Sequence, residues 1–360
     1  MSSFFVDPDI SIAKTIHTDV YTDDAVFKKS REAIFSKSLH HVGDADMLVE
    51  NGYVHPQILL PDFIDEPILL VKDKNGAINC MSNVCTHRGN LLVNSPGKMS
   101  QLKCGYHGRT FDLQGEMTFM PEFQEVKNFP CKDDHLIQIK TFQWGKLIFA
   151  ALNNDITIEK YLGEMMQRMS FFPVEKLVRR DDLSKDYNVD AHWALYCENY
   201  LEGFHIPFVH QSLAAVLDFG DYETEIFYPY ASLQLGVAKN NENIFDLPSE
   251  SVDVGRKIAA YYFWVFPNMM FNFYPWGLSL NIVKPLSKDR TQVSFITYML
   301  DESKYNRGAG SELDRVEMED EAIVMNVQKG VRSRFYNQGR YSASREKCTH
   351  HFHTLLAQFL

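Results

Sequence analysis

Cys85-Thr86-His87-Arg88-Gly89 and Cys104-Gly105-Tyr106-His107-Gly108-Arg109 are the two stretches that decide how this chain is read. Each holds one Cys and one His, spaced C-x-H in the first and C-x-x-H in the second, and each runs into a Gly. Four soft or borderline ligands within a 23-residue window point to a bound metal rather than to core packing. Two kinds of site compete for this donor set. A closed Cys2His2 zinc site uses the same residue types. A two-iron cluster uses them differently: with one Cys and one His from each loop, the thiolates can hold one iron and the imidazoles the other.

Around these loops, from about Leu39 to Leu152, short β-type runs such as Ile68-Leu69-Leu70-Val71 and Lys146-Leu147-Ile148-Phe149 are separated by turn signals. The turns fall at Lys74-Asn75-Gly76, Ser95-Pro96-Gly97 and Gln114-Gly115-Glu116. Residues 39–155 are therefore expected to form a small β-rich domain. Before it, residues 22–38 have helical periodicity, with Phe27, Ile34 and Phe35 as apolar positions and Asp23 or Asp24 available as the cap. Residues 1–38 are expected to form an N-terminal helical segment that packs on the larger domain, residues 156–360. There, a helix over 158–171 and a strand over 184–190 lead into a helix from Trp193 to Phe204, stopped before Pro207. Strand-like runs between Glu223 and Leu300, a strongly periodic helix over 311–331 and a helical end from Ala343 complete an α+β pattern, an antiparallel sheet flanked by helices.

Composition narrows the function. The 360 residues are 45% apolar and 23% charged, ordinary for a chain that folds throughout. A net charge of -11 with no basic stripe argues against nucleic acid as a partner. No 18-residue apolar run occurs and residues 1–14 lack the features of a signal peptide, so no membrane association and a cytoplasmic location are expected. Six cysteines in such a chain read as ligands or buried thiols, not as a disulfide framework.

A second constellation lies in Glu198-Asn199-Tyr200-Leu201-Glu202-Gly203-Phe204-His205-Ile206-Pro207-Phe208-Val209-His210. Glu202 and His205 are three apart, on one face of the expected helix. Pro207 would end that helix and let His210 return toward the same point. Two imidazoles and one carboxylate make a facial triad that leaves positions open for O2 on Fe(II). The carboxylate is sought in the 311–331 helix, where Leu313, Val316, Ile323, Val327 and Val331 form an apolar stripe. Asp320 sits inside this stripe and calls for a cation or metal partner, since burying an unpaired carboxylate is costly. Glu317, at the stripe's edge, is the second choice; Glu319 and Glu321 read as solvated.

The two Cys-His loops and the Asn199, Glu202, His205, His210 motif together resemble the Rieske-type non-haem iron oxygenases, from about Leu39 to the C-terminus. The helix carrying Glu319-Asp320-Glu321-Ala322-Ile323-Val324 also looks like the segment that supplies that family's third iron ligand. The resemblance implies a [2Fe–2S] Rieske cluster on Cys85, His87, Cys104 and His107, and a mononuclear Fe(II) on His205, His210 and Asp320. It implies a head-to-tail homotrimer in which Glu202 joins His107 of one subunit to His205 of the next, with Asn199 as a supporting neighbour. It also implies a separate NAD(P)H-dependent reductase as electron source, with O2 and a small organic molecule as substrates.

Arg109, where many members have Trp, and Glu202, where aromatic-ring members have Asp, are more like the branch acting on choline, betaines and carnitine. The implied reaction is monooxygenation of a quaternary-ammonium or amine substrate, with N-demethylation or C–N cleavage; the alternative is aromatic-ring dioxygenation or O-demethylation with the same centres. The aromatic run from Tyr261 to Trp276 could enclose a trimethylammonium group, although sheet core is its simpler reading. The His350-His351-Phe352-His353 cluster reads as exposed and packed helix histidines. A Rieske electron carrier and a zinc-stabilised binding module are the rivals of another class; the second His/Asp set speaks against the first.

Overall fold

In the computed structural model the described residues are 4–240 and 243–360. The chain divides into two compact units, Ser36–Ile156 and a second made of residues up to Phe35 together with Thr157–Leu360.

The Ser36–Ile156 unit is built on a seven-stranded antiparallel sheet in the order His40–Asp44, Leu147–Ala151, Gln138–Trp144, Ile78–Ser82, Glu66–Lys72, Tyr53–Leu59 and Gly97–Lys98. A three-stranded sheet of Leu102–Lys103, Thr110–Phe111 and Met117–Phe119 packs beside it. The Ile68-Leu69-Leu70-Val71 run is wholly buried, as a strand covered on both faces must be. Its core continues through Leu92, Leu102, Phe111 and Leu113 to the two thiols Cys85 and Cys104.

The other unit carries an eight-stranded antiparallel sheet. Its strands run Val178–Arg179, Arg290–Met299, Gly277–Ser287, Met269–Tyr274, Ile258–Val265, Ala231–Val237 and Glu223–Phe227, with Lys185–Val189 also paired to Arg290–Met299. The aromatic run falls on two neighbouring strands of this sheet and divides in function. Phe263, Trp264, Phe266, Phe271 and Phe273 are core, while Tyr262 and Tyr274 line a cavity.

The helices flank the sheet but differ in detail from the sequence reading. A one-turn helix, Asp19–Thr22, precedes Asp24–Ala33, which is capped by the Asp23 carboxylate accepting from the Ala25 and Val26 N–H groups. The helix from Trp193 stops at Tyr200, four residues early, and Pro207 does not end a helix: it opens the short helix Ile206–Val209. The missing proline N–H costs nothing in a first turn. The inward face of the Leu313–Gly330 helix is also rotated from the expected apolar stripe. Ile323 and Val327 are 37% and 42% exposed, and the buried residues are Glu317, Val324 and Gln328. Each of the two polar residues on this face has one oxygen bonded: Tyr196 Oη donates to Glu317 Oε2 and the His192 N–H to Gln328 Oε1. The C-terminal helix is Lys347–Phe359. Its histidines are satisfied locally, His350 on the Asp7 carbonyl, His351 on the Pro229 carbonyl and His353 on Glu198, Tyr21 and Tyr341.

All six cysteines are free of disulfides. Among the described residues no helix is long and apolar enough to cross a membrane.

Candidate metal centres and substrate cavity

The two Cys-His loops have the same backbone design. Cys85 N donates to the Asn90 carbonyl at 2.8 Å and Gly89 N to the Cys85 carbonyl at 3.0 Å. Correspondingly, Cys104 N donates to the Arg109 carbonyl at 2.8 Å and Gly108 N to the Cys104 carbonyl at 3.1 Å. Gly89 and Gly108 take the same position, with φ of 71° and 74°, a left-handed conformation that strains other residues. The sequence pattern of Cys, His and Gly is therefore the signature of one repeated loop.

The loops bring like ligands together. The His87 and His107 rings lie 4.8 Å apart, and both Nδ1 atoms are buried without a hydrogen-bond partner among the described residues. The Cys85 and Cys104 thiols, each 2% exposed, face one another and hydrogen bond. Burial opposes ionisation at Cys104, but the Tyr106 and His107 N–H groups, Cys85 and Asn90 outweigh it and lower the pKa. Burial, with His107 and Arg109 nearby, lowers the pKa of His87 and keeps it neutral, the form that binds a metal. Among the described residues the four ligand atoms do not gather within 4.8 Å of one another, as a mononuclear zinc would require. Thiols paired on one side and orphaned imidazole nitrogens on the other suit a two-iron cluster.

Arg109 backs the first loop. Its guanidinium is 2% exposed, donates to Thr86 Oγ1 at 2.7 Å and pairs with Asp134 at 3.1 Å. Phe123 and Phe129 cover it at 5.7 and 5.4 Å. It is a buried cation bonded to the residue between Cys85 and His87.

In the larger unit, ligand atoms of His205, His210 and Asp320 lie within 4.8 Å of one another. Asp320 Oδ1 is 3.0 Å from His210 Nε2, 3.5 Å from His205 Nε2 and 2.6 Å from Asn199 Nδ2, which donates to it. Each imidazole is held from behind by a glutamate. His205 Nδ1 donates to Glu202 Oε1 at 2.8 Å, and His210 Nδ1 donates to Glu319 Oε2 at 2.8 Å. Both Nε2 atoms are thereby turned toward Asp320, an arrangement that can hold a metal ion. Glu202 acts from a turn rather than from a helix face: its Oε2 also accepts the His205 N–H at 3.1 Å. The turn passes so close to Tyr222 that a Cβ on Gly203 would meet its ring at 2.5 Å.

Glu319, read from sequence as solvated, is thus bonded to His210 and further fixed by Arg315 at 3.2 Å. Only the place of His210, more than a hundred positions away in sequence, reveals it. Glu317, the second choice for the metal, is instead bonded to Tyr196 Oη at 2.5 Å and makes no hydrogen bond to either histidine.

A cavity opens beside His205, His210 and Asp320, faced by Tyr196, Tyr200, Tyr222, Tyr262, Tyr274 and Phe295. Burial pushes the pKa of all five tyrosines up, so they stay neutral. Most polar groups in the wall are tied to each other. Tyr200 Oη donates to Asn272 at 2.8 Å, Tyr222 Oη to Gln234 at 3.2 Å and Ser279 Oγ to Asn281 at 2.9 Å. Glu317 is the exception. It is 3% exposed, its Oε1 has no hydrogen-bond partner among the described residues, and burial pushes its carboxyl up to about 8.

Comparison with known proteins agrees with both centres. Residues 50–130 match the Rieske [2Fe-2S] domain, and residues 176–360 match the ring hydroxylating alpha subunit (catalytic domain). The chain is 30% identical to the chloroplastic choline monooxygenase of Arabidopsis thaliana, over 97% of this chain and 84% of that protein. It is 26% identical to the carnitine monooxygenase oxygenase subunit of Acinetobacter pittii, over 96% of this chain and 92% of that one. The structure of a quaternary ammonium Rieske monooxygenase shares the fold with a TM-score of 0.75 at 24% identity, covering 98% of this chain and 96% of that one. Two matched domains and a relative at 30% identity over nearly the whole chain show the family: the chain belongs to the ring-hydroxylating alpha subunits, the Rieske non-haem iron oxygenases that combine a [2Fe–2S] cluster with a mononuclear iron.

Proposed function

We propose that this chain is a terminal oxygenase that inserts one atom of O2 into a small quaternary-ammonium or amine substrate, leading to N-demethylation or C–N cleavage. The observation that carries this reading is the cavity wall. Beside the His205–His210–Asp320 group it offers neutral aromatic faces and one buried acid, while its other polar groups are largely engaged with each other. A trimethylammonium group has no N–H to donate, so aromatic faces and negative charge are what can recognise it. The named activities of the choline and carnitine monooxygenase relatives support the same class.

In this reading Cys85, His87, Cys104 and His107, within residues 39–155, hold the cluster. His205, His210 and Asp320, within residues 156–360, hold Fe(II). When bound, the cluster supplies electrons and the iron the O2 chemistry of C–H hydroxylation, with the second oxygen atom leaving as water at the expense of two electrons and two protons. The chain's own groups position the reaction. Glu202 and Glu319 fix the imidazole tautomers so that Nε2 is the ligand atom of each ring. Asn199 donates to Asp320 Oδ1 and restrains the carboxylate. The tyrosine walls exclude water from the C–H bond under attack.

Glu202 also has a place in electron delivery, bridging His205 to His107 of a neighbouring subunit in a head-to-tail homotrimer, with a separate NAD(P)H-dependent reductase as the source. We place the protein in the cytoplasm; its six free cysteines support a reducing compartment.

The test is a single turnover of chemically reduced holoprotein, mixed with oxygen and choline, glycine betaine, L-carnitine or benzoate, with products read by mass spectrometry. A hydroxylated or dealkylated quaternary amine is the expected result. Turnover of benzoate alone would overturn the substrate class and favour the aromatic-ring alternative.

A further inference from the structure

Three carboxylates line the cavity, and two of them are engaged. Glu202 is held by the His205 backbone and ring, and Asp320 by Asn199 and both histidines. Glu317 remains. Tyr196 Oη donates to its Oε2, while Oε1 is buried and has no hydrogen-bond partner among the described residues. A buried acceptor without a partner is destabilising, and natural structures keep few of them.

Its position is set by the same two helices that place the iron triad. Tyr196 bonds Glu317 and Asn199 bonds Asp320, so two bridges three residues apart join the Trp193–Tyr200 and Leu313–Gly330 helices. Three residues along a helix is an axial rise of roughly 4.5 Å. Glu317 is therefore carried one helical step from the carboxylate grouped with His205 and His210, among the residues that line the cavity beside them.

We propose that Glu317 is the specificity residue of this oxygenase, its free carboxylate oxygen lying against the cationic head of the substrate while Tyr196 holds the other oxygen. The inference rests on the quaternary-ammonium reading above and deepens it. A cation that cannot donate hydrogen bonds is distinguished from its uncharged carbon isostere by charge, because the two have nearly the same shape. The tyrosine faces supply part of that discrimination. They hold a tert-butyl group almost as well by contact, and the full negative charge of Glu317 supplies the rest. An acid that burial holds toward its neutral form becomes ionised beside a cation that enters with it.

The experiment measures binding to anaerobic holoprotein by calorimetry, without turnover. Choline is compared with 3,3-dimethylbutan-1-ol and glycine betaine with 3,3-dimethylbutanoate, each pair differing only by N⁺ for C. Wild type is expected to prefer the cation by about tenfold or more. Glu317→Gln, which still accepts the Tyr196 hydrogen bond, is expected to bring the ratio close to one and leave the affinity for the isostere within about threefold. Tyr196→Phe, which keeps the charge, should retain the preference.

Equal loss of cation and isostere in Glu317→Gln, or an unchanged ratio, would overturn the proposal and leave the substrate class standing. So would a wild type that binds both members of a pair alike. Failure of the wild type to bind either quaternary amine would overturn the substrate class and the proposal together. Should Glu317→Gln lose its fold, Glu317→Asp decides: retained cation preference with weakened cation binding supports the proposal, and parallel loss of both ligands overturns it.

Discussion

In the Ser36–Ile156 unit four ligands come from two loops of one design, a few residues each, and the backbone closes both loops by the same pair of hydrogen bonds. In the larger unit the candidate ligands come from a turn, the residue that closes a short helix and a long helix, and the bond between His210 and Asp320 spans 110 positions. The first site is made by local chain geometry. The second exists only once two helices have packed, and it is correspondingly surrounded by side chains that do the positioning: Asn199, Glu202 and Glu319. The charges differ as well. A buried cation, Arg109, backs the two Cys-His loops, whereas acids and neutral tyrosines surround His205, His210 and Asp320.

If the two centres are built this independently, removing one leaves the other intact. Asp320→Ala should abolish turnover and strip iron from the catalytic unit, with the visible absorbance of the cluster unchanged. Cys104→Ser should bleach the cluster and leave the catalytic iron bound. Iron and sulfide content with absorbance spectra would check both; cross-loss in either direction would break the comparison.

A smaller effect tests whether tertiary positioning matters as much as the ligands suggest. Glu319→Gln keeps the size of the side chain and weakens its hold on His210 Nδ1, and should lower kcat or iron affinity by about 10–100-fold. Steady-state rates at matched iron occupancy would measure it, with Glu202→Gln as the parallel variant on His205. An unchanged rate would mean that the Leu313–Gly330 helix alone orients His210.

The larger unit should also respond to acid through histidines that are not ligands. Burial, with Lys288 nearby, lowers the pKa of His192 to about 3, and burial lowers that of His351 to about 4. Both folded values lie below the ordinary 6.5, so between these values the unfolded chain binds more protons and stability falls as pH falls. The contribution is fully present above about pH 6.5; at pH 5 each group should have cost roughly 2 kcal/mol. Urea denaturation at pH 7 and pH 5 would read it, and His351→Gln should flatten the dependence by its share.

The smallest change is electronic. Arg109→Gln removes a buried positive charge beside Thr86 and should make the cluster harder to reduce, a lower midpoint potential in a potentiometric titration, with its absorbance retained. A potential that does not move would mean that the ion pair with Asp134 already cancels the field of Arg109 at the cluster.

The sequence by itself pointed to the two Cys-His loops, to the β-rich character of their unit and to Asn199, Glu202, His205, His210 and Asp320, which the structure brings together. A Cys with a Gly four positions on encodes one loop conformation, and strand alternation encodes a buried face; both are local properties. Only the tertiary structure decided which face of the Leu313–Gly330 helix turns inward, because Glu317 and Gln328 are buried by their bonds to Tyr196 and the His192 N–H, which hydrophobic periodicity cannot register. It also decided that Glu319 bonds His210, that Pro207 begins a helix, and that Glu317 lines the cavity with one oxygen that has no hydrogen-bond partner among the described residues. Each of these depends on where a partner more than a hundred positions away, or the next turn of chain, comes to rest, and that is settled by packing rather than by spacing.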